Sequence, residues 1–169
     1  MIYVCSMSKV GETIAATGAR RLVTLLNAGT PFERPPAIVQ ANHLFLPMND
    51  IVTENPDMVA PSRSHVETLL GFVRSWDRST PLVINCFAGI SRSTAAAYIT
   101  AAALAPSRNE EELAATLRRL APSATPNTLL VRHADALLGR QGRMIAAIDA
   151  IGRGADAFEG TPFGLAIDL

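Results

Sequence analysis

Cys86, Gly89, Arg92 and Ser93 fall within a single run, NCFAGISRST, at residues 85–94. A thiol followed six positions later by a guanidinium and a hydroxyl is a set of groups that could attack phosphorus and hold its oxygens. The thiol must first ionise. An ordinary free cysteine, with pKa near 8.5, is only about 3% thiolate at neutral pH. Making it mostly thiolate takes roughly 4 kcal/mol, of which a helix N-terminus supplies about 0.3–2 kcal/mol. Converging loop amides and the Arg92 guanidinium would have to contribute the rest. The same groups suit phosphoryl transfer. Amides of Phe87, Ala88, Gly89, Ile90, Ser91 and Arg92 would surround three phosphate oxygens, with Arg92 taking two of them bidentately. Charge on those equatorial oxygens is what catalysis of this transfer has to stabilise. Ser93 or Thr94 could hydrogen-bond the sulfur and ease its departure. The competing reading of Cys86 is a packed, inert thiol.

The elements on either side favour the reactive reading. PLVIN (Pro81 to Asn85) is a continuous apolar run, expected as a central strand. Gly89 stands mid-loop, where glycine would allow a positive φ. From about Arg92 to Ala105 the chain reads as a helix that is apolar nearly all round and therefore buried. Strand, loop and helix N-terminus together make a place where backbone N–H groups bind an anion. Elsewhere, IYVC, Arg21 to Asn27, AIVQ and HLFLPM read as strands, the last two as one or two. Pro61 to Trp76 carries Val66, Leu69, Leu70 and Val73 at helical spacing, with Phe72 and Trp76 assigned to the core. SRNEEELAATLRRL has the charge order a helix dipole favours. PNTLLVRHADALLGRQGRMIAAIDAI is one long helix or two, with Gly139 and Gly142 as weak points. Strands alternating with helices give one α/β domain over residues 1–150, followed by a loose tail at 151–169.

Composition limits the partners. The 15 basic and 15 acidic residues cancel, which argues against nucleic acid as the main partner. Only Lys9 among the basic residues is lysine, so the positive charge is almost all guanidinium. Cys5 and Cys86 make neither a disulfide framework nor a metal site. His43, His65 and His133 have no ligand spacing and read as ordinary surface or core histidines. Cys5 reads as a buried strand residue, with oxidation against Cys86 as the alternative. The N-terminus lacks the basic region of a secretory signal, and no run is apolar enough to span a bilayer. The expectation is a cytoplasmic protein with reduced thiols and no membrane or metal partner; oligomeric state is not readable.

NCFAGISRST resembles the signature loop of the cysteine-dependent protein-tyrosine phosphatases, most of all their compact dual-specificity branch. HLFLPMNDI resembles the strand and loop carrying that family's general-acid aspartate, and ATPNTLLVRHADALL its post-signature segment, with Pro126 and Asn127 at the usual Pro-Asn. The likeness runs from about residue 21 to 140. It implies an α/β domain with a central, mostly parallel sheet of four to five strands flanked by helices. It also implies Cys86 as nucleophile, Arg92 as phosphate clamp, Asp50 as acid and Ser93 as the hydroxyl assisting breakdown of a phosphocysteine, without cofactor. The implied substrate is a phosphorylated protein or a small phosphate ester. For Asp50 the competing reading is a turn or cap aspartate, with Glu54 and Asp57 as substitute acids. One departure stands out. The family's histidine before the cysteine is replaced by Asn85, which can brace the loop by hydrogen bonding but cannot carry charge. Slower turnover, or a phosphate-binding module without useful activity, would follow. A rhodanese-like sulfur transferase is a third reading, against which five intervening residues make a cradle sized for phosphate. The low-molecular-weight phosphatases share this spacing but carry it near the N-terminus. FAGIS adds no positive charge, which weighs against highly phosphorylated lipids or inositols.

Overall fold

A computed structural model describes residues 1–168. Five strands form one sheet: β1 (Ile2–Ser6), β2 (Arg21–Leu26), β3 (His43–Pro47), β4 (Leu82–Cys86) and β5 (Phe163–Leu165), in the order β3-β2-β4-β1-β5. The first four are mutually parallel and β5 pairs antiparallel with β1. Six helices flank the sheet: α1 (Val10–Thr17), α2 (Arg63–Arg74), α3 (Arg92–Leu104), α4 (Glu110–Leu120), α5 (Thr128–Leu137) and α6 (Arg143–Ile151). None of the described helices is long and apolar enough to cross a membrane.

Alternation along the strands divides the core in two. Leu82, Ile84 and Cys86 of β4 join Ile2 and Val4 of β1 in the larger core beneath α2 to α6. Val83 and Cys5 face the other way, into a smaller core with Val10 and Ile14 of α1 and with Leu22 and Ile38. Successive side chains of a strand point to opposite faces, so Cys5 and Cys86 lie on opposite sides of the sheet, and both are free thiols. That separation disfavours oxidation of one against the other. α3 runs through the centre of the larger core, buried from Arg92 to Ala102. Its alanines let neighbouring elements come close on every side.

Two expectations need correction, and one helix was not anticipated. AIVQ is turn and short 3-10 structure rather than strand, because Pro35 and Pro36 precede it and the Ile38 N–H closes a turn on the Pro35 carbonyl at 2.9 Å. Val10–Thr17, unassigned in the sequence, is a helix ended by Gly18 at φ 69°; its mixed Gly, Thr and Ala content gives little periodic signal. The C-terminal stretch is not loose throughout, since it returns to add β5 to the open edge of β1. The long helical region does break where Gly139 and Gly142 stand, both at positive φ.

Candidate active site

β4 ends at Cys86, buried at the base of the loop that leads into α3. Gly89 has φ +72°, and a Cβ there would lie 2.7 Å from the Ser6 nitrogen and 2.8 Å from the Cys5 carbonyl carbon. Both the backbone conformation and the close approach to β1 therefore demand glycine. The loop's carbonyls are tied from outside by four backbone amides drawn from three segments. Met7 N–H donates to Phe87 O at 3.1 Å, Gly160 to Ala88 O at 2.8 Å, Thr125 to Ile90 O at 2.9 Å and Asn127 to Ser91 O at 3.3 Å. In a trans peptide the C=O and the following N–H point in opposite directions. Pinning the carbonyls of residues 87, 88, 90 and 91 outward thus turns the amides of 88, 89, 91 and 92 toward the concave side, a nest for an oxyanion.

Cys86 Sγ lies 3.1 Å from Ser93 Oγ. Thr94, the other candidate hydroxyl, instead bonds back to the carbonyls of Ile90 and Ser91. Arg92 is only 5% exposed. Its Nη1 donates to Asn27 Oδ1 at 2.8 Å and to the Met48 carbonyl at 2.7 Å, which fixes one edge of the guanidinium. Nε is buried with no partner. An unpaired buried donor costs about 1–3 kcal/mol, so this atom calls for an acceptor at the loop. Asn27 and Met48 were not singled out in the sequence. Asn27 sits just past β2 without a motif, and Met48 acts through its carbonyl, which its residue type does not record.

Asp50 is exposed at the far wall. Its Oδ1 accepts from Ser91 Oγ at 2.7 Å and from Asn127 Nδ2 at 2.9 Å. Asn127 Nδ2 also reaches the Ile51 carbonyl at 3.1 Å, while its Oδ1 caps α5 by accepting from the Leu129 and Leu130 amides. One buried asparagine thus connects the Asp50 loop, the Cys86 loop and α5. A cavity of about 470 Å³ brings Asp50, Phe87 and Arg92 together, with Asn27, Thr30 and Asn49 as polar lining. Ile51 and Met58 supply apolar wall. Glu54 and Asp57, the substitute acids, do not line it; Glu54 borders a separate cavity with His133. Among the described residues no group of three or more His, Cys, Asp or Glu is placed to hold a metal ion.

Asn85 does not brace the loop. It faces the α1 side of the sheet, where its Oδ1 accepts from Thr24 Oγ1 at 2.8 Å and its Nδ2 is buried without a partner. Thr24 Oγ1 lies 3.0 Å from His43 Nε2. Burial, and next the Arg34 charge, lower the His43 pKa. If the Thr24 hydroxyl donates to Asn85, His43 must donate through Nε2–H, which its neutral form can do.

No family model matches this sequence, and no curated protein matches it either. Solved structures do. Human DUSP28 superposes with a TM-score of 0.62 at 18% identity, covering 82% of this chain and 94% of that one. PTP-2 phosphatase of Cydia pomonella gives 0.63 at 15% identity, over 80% of this chain and 84% of its own. A mouse putative dual specificity phosphatase complexed with zinc tungstate gives 0.62 at 16%, covering 86% of each. The chain has the compact dual-specificity phosphatase fold.

Proposed function

We propose that this chain is a phosphomonoester hydrolase of the tyrosine or dual-specificity type, working through a phosphocysteine on Cys86. The observation that carries the reading is the loop with four carbonyls held outward by amides of three segments, leaving its own amides and the unpaired Arg92 Nε for a tetrahedral oxyanion. The mouse structure of the same fold is a complex with zinc tungstate, and tungstate is such an ion. In the first step the Cys86 thiolate attacks phosphorus while the bond to the leaving oxygen breaks. Loop amides and Arg92 hold the three equatorial oxygens, where charge must be stabilised. Asp50 gives its proton to the departing oxygen, without which a phenolate or alkoxide leaves poorly. In the second step the Asp50 carboxylate takes a proton from water, whose oxygen attacks phosphorus. Sulfur departs as thiolate, accepting a hydrogen bond from Ser93 Oγ 3.1 Å away.

A second reading, oxyanion binding without useful turnover, is favoured by Asn85, whose side chain is engaged with Thr24 rather than with the loop. Hydrolysis of an aryl phosphate by wild type and by Cys86→Ser separates the two. Burst release of the phenol, and a phosphorylated Cys86 peptide after acid quench, support the enzyme. Equal and negligible rates, with vanadate still bound, support the binding module. Thiosulfate:cyanide activity would instead favour sulfur transfer. Rates on a phosphotyrosine peptide, a phosphoserine peptide and an inositol phosphate then assign the substrate; the loop contributes Arg92 as its one cationic side chain, which favours substrates with a single phosphate.

A further inference from the structure

After α6 the chain crosses the outside of the phosphate-sized loop before it enters β5. Gly154 N–H donates to Thr125 Oγ1 at 3.0 Å and Ala155 N–H to Pro122 O at 2.9 Å, which fixes the beginning of this strap. Gly160 N–H then meets Ala88 O at 2.8 Å, and one residue earlier the Glu159 carboxylate accepts from the hydroxyls of Ser6 and Ser8. Between these anchors the strap has little apolar hold: residues 155–159 are exposed, Phe158 to 92%.

We infer that Glu159 and Gly160 are positioning residues for the Cys86 loop, holding the Ala88–Gly89 peptide so that the Gly89 amide faces the bound oxyanion. The inference rests on the hydrolase reading for its functional meaning. Of the four pinned carbonyls, Phe87 O is held by the residue following β1, and those of Ile90 and Ser91 by the segment that opens α5. Ala88 O is held by the strap. Gly160 is suited to this by lacking a side chain: a Cβ at 160 would lie 2.8 Å from Gly89 O. Any larger residue would push strap and loop apart and lengthen the bond to Ala88. Glu159 fixes the strap at that point by anchoring it to Ser6 and Ser8, beside the end of β1 against which Gly89 also packs. A glutamate carboxyl is charged at neutral pH, and the two hydroxyls hold that of Glu159 below its ordinary range. Releasing it frees the Ala88–Gly89 peptide to rotate, and one inward donor of the nest is lost.

The test uses the full chain with Gly160→Ala, Glu159→Ala and Glu159→Gln, and Asp156→Asn as a control on the same strap, since among the described residues Asp156 pairs only with Arg153. Vanadate affinity by calorimetry and kcat/KM for an aryl phosphate are measured at 25 °C, with melting temperature and the Gly89 amide signal by NMR. Gly160→Ala should weaken vanadate binding and lower kcat/KM by roughly a hundredfold, the scale of losing one oriented oxyanion donor. Glu159→Ala should lower both by about tenfold, the scale of one hydrogen bond to a charged group. Glu159→Gln, which keeps an acceptor oxygen, should recover part of that, Asp156→Asn should match wild type, and the Gly89 signal should move in the variants that lose affinity. Should Gly160→Ala fail to fold, Glu159→Ala decides, because its side chain is at the surface. A folded Glu159→Ala with wild-type vanadate affinity, or with a lowered melting temperature and nothing else, overturns the inference. If wild type binds no vanadate, the hydrolase reading fails; the strap is then judged on the Gly89 amide, and an unmoved signal in Glu159→Ala overturns it.

Discussion

Gly89→Ala is the perturbation that tests the loop most directly, and its size can be worked from the geometry. Two effects add. The first is conformational: a side chain at φ +72° occupies the left-handed region, which costs about 1–2 kcal/mol for a residue other than glycine. The second is steric. The new Cβ would sit 2.7 Å from the Ser6 nitrogen, roughly 0.7 Å inside the 3.4 Å at which ordinary contact begins. The opposing atoms are backbone of β1, paired to β4 on one side and β5 on the other, so it is the loop that has to move. A displacement of several tenths of an ångström shifts the amides off the oxyanion, and misplacements near 1 Å cost about a hundredfold in rate. The expectation is a kcat/KM for an aryl phosphate lower by about 10²-fold, and a protein destabilised by about 2 kcal/mol or more. Gly18→Ala is the internal control. Gly18 has nearly the same φ, +69°, but nothing within 4 Å of its would-be Cβ; it should lose about 1 kcal/mol of stability and no activity. Steady-state kinetics and chemical denaturation of both variants measure the difference. A folded Gly89→Ala with activity within twofold of wild type would refute the claim that this approach to β1 fixes the loop.

Further outcomes follow from other parts of the molecule. Asp50→Asn should slow hydrolysis of phenyl phosphate by about 10²–10⁴-fold, and far less for an ester whose leaving group needs no proton; equal losses for the two esters would remove Asp50 from the acid's role. Burial pushes the Cys5 thiol up to about 11, which leaves about 0.03% thiolate at pH 7.5. Cys5 should therefore resist iodoacetamide in the folded protein, by peptide mass spectrometry, while vanadate protects Cys86; labelling of Cys5 as fast as Cys86 would contradict this. His65 has its pKa lowered chiefly by burial and also by His133, against a bond to Pro47 that raises it. Its Nδ1 accepts from the Ser62 N–H at 3.1 Å to complete the capping box of α2. With the folded value below the unfolded one, near 6.5, the unfolded chain binds more protons. Stability is then complete above that pH and falls as pH drops toward the folded value. Melting temperature should decline from pH 7.5 to 5.5, and His65→Glu, whose carboxylate can accept the same bond, should flatten that slope; an unchanged slope would clear His65 of the effect.

What could be read from residues alone is concentrated where chemistry and spacing coincide. Cys86, Gly89, Arg92 and Ser93 stand within eight consecutive positions, between an apolar strand and an alanine-rich helix, so their convergence needed only local structure. α2 was legible because Val66, Leu69, Leu70 and Val73 repeat at helical spacing and all four are buried. β5 was not: a three-residue strand with glycine at its centre has no pattern of its own, and it exists because β1 offers an open edge some 160 positions earlier in the chain. Asn85 shows a different limit. Its type suggested a brace for the neighbouring loop, but strand alternation turned it toward Thr24 on the opposite face. A residue adjacent in sequence to Cys86 need not share its side of the sheet.

The supports of the candidate site are hidden from the sequence for a physical reason. Met7, Thr125, Asn127 and Gly160 hold the loop through backbone N–H groups, and Met48 holds Arg92 through a carbonyl. Every residue type other than proline presents the same amide and carbonyl, so nothing in a residue's name announces that its backbone will hold the Cys86 loop. Glycine is the partial exception, because the absence of a side chain can itself be required. A Cβ on Gly160 would strike the Gly89 carbonyl oxygen at 2.8 Å, and one on Gly89 would strike the Ser6 nitrogen of β1 at 2.7 Å. A pair of glycines 71 positions apart is in this way the clearest trace the sequence carries of how the Cys86 loop is held, and it can be read as such only once the fold has brought the two together.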